Sequence, residues 1–138
     1  MKFNTRTAVS YWVKNTAIKW ETAKGLKRLK RNADCLFFCH LVLECLLKAL
    51  ICRNTGKAAP YLHDLEILAR HAGISLPPRQ RAFLVDANSF NISARYDDYR
   101  FKFYKRATAA FTEKNFCSTN LMRVWLLSEL QKKTPSGT

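Results

Sequence analysis

The stretch ADCLFFCHLVLECLLKALIC, residues 33–52, is the longest and most apolar run in the chain. At about 100° per residue, its only polar side chains after the first turn are His40, Glu44 and Lys48, which fall on one narrow stripe. The rest of such a helix is apolar, so other helices must cover most of its surface. The run is long enough to span a membrane, but three ionisable groups on one line favour the central helix of a soluble bundle.

The chain is strongly basic. It carries 24 Lys and Arg against 10 Asp and Glu, a formal net charge of +14 over 138 residues. This surplus favours phosphate-bearing or acidic partners, namely nucleic acid, nucleotide, anionic lipid or an acidic protein. An N-terminus without an apolar signal segment and an odd number of cysteines predict a cytoplasmic protein. The length favours one domain over residues 1–138, with a frayed polar tail at 131–138.

Apolar periodicity predicts four further helices around the central one. They are expected at residues 7–31, at 65–72, from 78 to about 88 or 90, and from 111 or 112 to about 132. Asp64 can cap the second of these, Gly73 ends it, and Pro78 suits the first turn of the third. Leu121 and Val124 belong to the apolar set of the last helix. No segment is typical of a sheet, so the expected fold class is all-α, an up-and-down bundle of about five helices.

The segment before the last helix, residues 91–106, mixes aromatic and cationic side chains with little helical periodicity, so we expect a long ordered loop or extended segment. Tyr99, Phe101 and Phe103 alternate with cations, which in an extended chain puts rings on one side and charges on the other. Rings that stack on bases, beside cations that hold phosphates, are typical of single-strand binding. The alternative is that the rings only pack on the bundle. The candidate nucleotide- or RNA-binding residues are Arg95, Tyr96, Arg100, Lys102 and Lys105.

A second group of cations lies near the end of the first predicted helix. Lys24, Lys27, Arg28 and Arg31 follow one another at helical steps and form one exposed line of positive charge. They are either a phosphate-binding stripe or a solvated face with cations favourably placed at a helix C-terminus. Residues 1–31 hold nine basic groups and one acid, which supports the first interpretation modestly.

Sequence signatures of common catalytic and metal sites are missing. The chain has four glycines and no phosphate-binding glycine loop, no GxSxG elbow and no HExxH metal helix. The cysteines of the central run fall on two different faces of a helix, so they do not converge on one metal. We therefore expect no metal and no cofactor.

Five sequence blocks in order resemble HEPN domains (higher eukaryotes and prokaryotes nucleotide-binding). They are HLVLECLLKALI at 40–51, GKAAPYLHDLEILA at 56–69, FNISARYDD at 90–98, FYKRATAAFTEKNF at 103–116 and WLLSEL at 125–130. The resemblance covers nearly the whole chain after the first helix. It implies a bundle of about five helices, often a homodimer, and frequently a nucleotidyltransferase partner in a toxin–antitoxin or defence-type system.

The active ribonucleases of that family carry an arginine followed, after four to six residues, by a histidine. The matching arginine is Arg95, but positions 100–102 hold arginine, phenylalanine and lysine. The missing histidine removes the group expected for proton transfer or charge stabilisation, so we expect a nucleotide- or RNA-binding module without the usual ribonuclease motif. Two alternatives stay open. One is a metal-independent endoribonuclease that uses Arg95 with Tyr96 or His63, and the other is a basic interaction protein without a nucleic-acid ligand.

Overall fold

The computed structural model describes residues 2–92 and 96–132. The helices are α1 (Thr5–Arg28), α2 (Asn32–Thr55), α3 (Leu65–Ala72), α4 (Pro78–Ala87), α5 (Asp97–Arg106) and α6 (Ala109–Gln131). A short 3₁₀ turn, Asn88–Phe90, follows α4. No strand occurs in these two ranges, so the prediction of an all-α bundle is confirmed.

α2 is the core helix, as its composition predicts. Every residue from 42 to 52 is buried, including the glutamate and lysine of its polar stripe. α1 runs antiparallel along it, because the Thr16 hydroxyl donates to the Val42 carbonyl at 2.8 Å and the Lys48 ammonium lies over the Trp12 ring. By length and composition α2 could cross a membrane, but its most apolar 18-residue window is 83% buried inside the bundle. Its apolar surface is therefore already covered by other helices.

The helix ends agree with the predicted signals, with one exception that bears on the basic residues. Asp64 Oδ1 accepts a hydrogen bond from the Ile67 amide at 3.0 Å, and Gly73 ends α3 in the left-handed conformation. Pro78 opens α4. α1, however, ends at Arg28 instead of at residue 31, and Lys30 adopts a left-handed φ of 59° in the turn to α2.

The long loop or extended segment predicted at 91–106 is wrong from residue 97 onward, because that part forms α5. Its charges suit a helix: Asp97 and Asp98 lie in the first turn and Lys105 and Arg106 in the last. Carboxylates near a helix N-terminus and cations near its C-terminus are both stabilised by the helix dipole. This distribution of charge was the helical signal in a segment that lacks apolar periodicity.

The three alternating rings of this segment do not share a side. Tyr99 and Phe103 are one helical turn apart and both turn inward, and Phe103 is only 2% exposed. Phe101, which an extended chain would place beside them, faces solvent and is 70% exposed. The structure thus shows that Phe103 packs in the core and Phe101 faces solvent, a distinction that the alternating sequence left open.

The inward face of α6 also differs from the prediction. Leu121 and Val124 point to solvent, at 73% and 54% exposure, whereas Thr119 and Met122 are buried. The Thr119 hydroxyl donates to the Asn115 carbonyl of the same helix at 2.8 Å, so burying it leaves no hydrogen-bonding group unpaired. A count of apolar residues cannot anticipate a buried threonine that is satisfied in this way.

Candidate nucleic-acid interface

α5 is held on the bundle by its inward rings. The Phe103 ring packs against Phe90, with centroids 6.0 Å apart, and against Phe111, with centroids 6.5 Å apart. The Tyr99 hydroxyl donates to the Ser89 carbonyl at 3.3 Å. These contacts fix which side of α5 faces the core and therefore which side faces solvent.

The outer side of α5 carries exposed rings beside cations. At 100° per residue, Phe101 lies opposite the inward pair, with Arg100 and Tyr104 on one flank and Lys105 on the other. Phe101, Tyr104, Arg100 and Asp97 line a shallow open hollow of about 320 Å³. We call Arg100, Phe101, Tyr104 and Lys105 the α5 outer face. It offers flat surfaces for stacking and positive charges within one or two turns of each other.

The polar groups of this face have few internal partners. Arg100 Nη1 is 4.0 Å from Asp97 Oδ1, and the Arg100 side chain is partly and the Asp97 side chain almost fully exposed. The Tyr104 hydroxyl donates to Asp34 Oδ1 at 3.3 Å, and partial burial together with that carboxylate raises the pKa of Tyr104. Lys105 has no carboxylate partner within residues 2–92 and 96–132, and its charge is free for a ligand.

Four of the five predicted ligand residues lie on α5 or at its start. Tyr96 is the N-cap residue and is 88% exposed, Lys102 lies on the other flank of the helix, and Arg95 falls outside the described residues. Sequence reasoning did not single out Phe101 and Tyr104 as ligand residues. The signal for them was the helical spacing of the four aromatic residues of α5, which puts Phe101 and Tyr104 on the side opposite Tyr99 and Phe103.

The second predicted group of cations is divided by the structure. Lys24 Nζ pairs with Glu21 Oε1 at 2.8 Å, and Lys27 pairs with Glu113 of α6. The hydrogen bond that Lys24 donates lowers the pKa of Glu21, and the hydrogen bond that Lys27 donates to Glu113 raises the pKa of Lys27. Because α1 ends at Arg28, Arg31 lies outside its line, at the N-cap of α2. The predicted single stripe therefore comprises two paired lysines and two exposed arginines.

The family model for the HEPN domain matches residues 9–118, which run from α1 into the first half of α6. The chain belongs to the HEPN domain family. No significant match to a curated protein or to a solved structure was found. Family membership confirms the resemblance, with the first four of the five sequence blocks inside the matched range, and relates the bundle to nucleotides or RNA in general terms.

A second polar cluster lies inside this HEPN domain, on the stripe of α2. Glu44 Oε2 accepts from Lys48 Nζ at 3.1 Å, and its other oxygen is 3.1 Å from His63 Nδ1. His40 Nε2 donates to the His63 carbonyl at 3.0 Å, and burial lowers the pKa of His40. His40 Nδ1 is buried, has no hydrogen-bond partner among the described residues and lies 3.8 Å from Glu44 Oε1.

These bonds give His63 of the HEPN domain a defined structural position. Its ring and its carbonyl both bond to side chains of α2, so they attach the segment between α2 and α3 to the core helix. With Nδ1 donating to Glu44, the acceptor nitrogen of His63 is Nε2, and the side chain is 47% exposed. The neighbouring ring of Tyr61 is in edge-to-face contact with it and almost fully exposed.

Proposed function

We propose that this HEPN domain binds RNA or a nucleotide through the α5 outer face. The observation that carries the proposal is the 70% exposure of Phe101 on a helix whose opposite side is packed into the core. The exposed ring offers a flat surface on which a base can stack, and Arg100 and Lys105 beside it supply the charge that a phosphate needs.

The chemistry of the face suits bases and phosphates together. Stacking of a base on an aromatic side chain contributes about 1–3 kcal/mol and tolerates any base, because every base has a flat π-face. Cations near the ring hold the backbone phosphates, and their contribution falls as salt rises. The formal net charge of +14 adds long-range attraction for either ligand.

The direct test is a titration of labelled single-stranded RNA at two salt concentrations. Phe101→Ala should weaken binding about tenfold, and Arg100→Ala with Lys105→Ala should both weaken it and reduce its dependence on salt. Arg6→Ala with Lys57→Ala is the matched control, because it also removes two exposed cations but at the opposite end of α2. Equal loss in the control and in the α5 variants would contradict the proposal, as would binding that ignores salt.

The same proposal includes the finer features that the HEPN resemblance implies. We infer binding without ribonuclease activity, because positions 100–102 lack the histidine that follows the motif arginine in active members. Cleavage of RNA in the presence of chelator, abolished by Arg95→Ala, would contradict this.

We also infer a cytoplasmic homodimer with a nucleotidyltransferase partner in a toxin–antitoxin or defence-type system. Co-purification with the products of neighbouring genes tests that assembly, and recovery only as a free protein counts against it.

A further inference from the structure

Two contacts join the C-terminal end of α5 to the N-terminal end of α2. Asn32 Nδ2 donates to the Ala107 carbonyl at 3.1 Å, and the Tyr104 hydroxyl donates to Asp34 Oδ1 at 3.3 Å. Arg31 directly precedes Asn32, and the last turn of α5 directly precedes Ala107. The exposed cations of the α1–α2 turn therefore lie beside those of α5, although some 70 residues separate them in sequence.

The cations at this junction are largely free of carboxylates. Within the two described ranges, none of them has an acidic partner at ion-pair distance, and all are exposed. The nearby acids are already engaged: Asp34 accepts the Tyr104 hydroxyl and Glu113 holds Lys27. The cations at the junction are Arg28, Lys30, Arg31, Lys105 and Arg106. We call Arg28, Lys30 and Arg31 the turn cations.

We propose that the α5 outer face and the turn cations form one continuous surface for a single-stranded polynucleotide. Bases stack on Phe101 and Tyr104, and the following phosphates continue to Arg31 and Arg28. The inference rests on the proposed function and specifies its ligand as a strand of several nucleotides instead of a mononucleotide. RNA and single-stranded DNA share the recognised chemistry, and the test compares them.

The shape of the surface supports a strand. The hollow on α5 is shallow and open, so a mononucleotide bound there would cover only one base and make few phosphate contacts. A strand gathers further phosphates along the surface. From Phe101 to Ala107 the helix axis advances about 9 Å, and the turn cations begin where it ends. The resulting footprint is on the order of four to six nucleotides, near the lower end for single-strand-binding domains.

The experiment measures Kd at 50 and 200 mM salt for AMP, for RNA and DNA single strands of two, six and twelve nucleotides, and for a twelve-base-pair duplex. With about four phosphates neutralised, the six-nucleotide strand should lose roughly 50-fold in affinity over this range, since the logarithmic slope is about −0.7 per phosphate. Arg28→Ala with Arg31→Ala, the turn variant, should weaken binding of the six- and twelve-nucleotide strands and leave binding of the dinucleotide nearly unchanged. It should also make the slope of log Kd against log salt concentration smaller by about 1.4. If this variant is poorly folded by circular dichroism, Arg28→Gln with Arg31→Gln gives the same readout.

The control and the α5 variant separate the two proposals. Phe101→Ala should weaken strands of every length, and Arg6→Ala with Lys57→Ala should weaken none of them beyond a small general effect of net charge. Loss in Phe101→Ala but no length-dependent loss in the turn variant overturns the continuous surface and leaves the proposed function intact. If neither variant loses affinity, both the continuous surface and the proposed function are overturned.

The comparison of ligands tests the single-strand inference. It is overturned if AMP binds as tightly as the six-nucleotide strand, or if a duplex binds as tightly as a single strand. Equal affinity for RNA and DNA strands supports it in its general form, and preference for RNA restricts the ligand to RNA.

Discussion

Glu44 and Lys48 lie one turn apart on α2 and form an ion pair inside the bundle, with Lys48 Nζ donating to Glu44 Oε2 at 3.1 Å. Both side chains are less than a tenth exposed. His63 holds the other carboxylate oxygen, and the Trp12 ring covers the ammonium group. A pair satisfied on every side in this way is tolerated in a core, but either charge left alone there is strongly unfavourable.

Removing one member of this pair should therefore destabilise the fold. We expect Glu44→Gln to lower the free energy of unfolding by about 3 kcal/mol, because it leaves the Lys48 ammonium buried without its counter-charge. Urea denaturation measures the change. The matched control is Glu21→Gln in the Glu21–Lys24 pair of α1, where the carboxylate is 70% exposed, solvent screens the charges and the loss should be much smaller. A loss in Glu44→Gln no larger than in this control would contradict the assignment of a buried ion pair.

The buried His40 predicts a stability that falls as the solution becomes acidic. Burial lowers the pKa of His40 in the folded state, and the attraction of Glu44, the hydrogen bond to the His63 carbonyl and the attraction of Asp64 oppose this shift. As pH falls below about 6.5, His40 becomes protonated in the unfolded chain but stays neutral in the folded chain. This difference lowers the free energy of unfolding by up to about 1.4 kcal/mol per pH unit. The stability that the neutral, buried His40 contributes is fully present above pH 6.5 and is lost as the pH falls from 6.5 to the lowered pKa of the folded state.

His40→Gln isolates this effect, because glutamine keeps an N–H donor for the His63 carbonyl but does not titrate. Urea midpoints at pH 7.5, 6.5 and 5.5 should decrease more steeply in the natural chain than in this variant. Parallel curves for the two proteins would show that His40 is not responsible.

Phe101 and Phe103 provide a paired test of α5 itself. Phe103→Ala should lower the free energy of unfolding by about 3–5 kcal/mol, because the ring is buried against Phe90 and Phe111. Phe101→Ala should leave stability nearly unchanged and act only on ligand binding. Thermal and urea denaturation of both variants decide the point. If the segment were extended, as the sequence suggested, the two rings would share a side and the two losses would be similar.

The sequence predicts the core of this fold well because one helix dominates it. The apolar run of α2, the glycine after α3 and the proline that opens α4 are local signals, and each corresponds to its observed element. α5 could not be predicted from periodicity, because only Tyr99 and Phe103 of its ten residues turn inward and the rest of its surface is charged or exposed. Such a short helix is stabilised mainly by tertiary packing, which a sequence pattern does not show.

The candidate site was predictable in composition but not in arrangement. The mixture of rings and cations indicated a surface for bases and phosphates, and most of the named residues lie on or beside α5. Which ring is free was decided by the helical turn, and the proximity of Arg31 to α5 was decided by the Asn32–Ala107 contact. Contacts across some 70 residues arise from the packing of the whole bundle, so no local pattern records them.

Two glycines give opposite predictions for the same substitution. Gly73 ends α3 at a φ of +69°, and no atom of the described part of the chain lies within 4 Å of an added Cβ, so Gly73→Ala should cost about 1 kcal/mol through backbone strain alone. Gly25 lies inside α1, where an added Cβ would meet only the end of the Arg28 side chain at 3.8 Å. Gly25→Ala should therefore stabilise the fold by about 0.5–1 kcal/mol, since alanine has the higher helix propensity. Urea denaturation of both variants should move the midpoint in opposite directions, and Gly73→Asn should recover part of the loss because asparagine tolerates the left-handed region. A loss in Gly25→Ala would show that α1 is packed more closely around residue 25 than the structure shows.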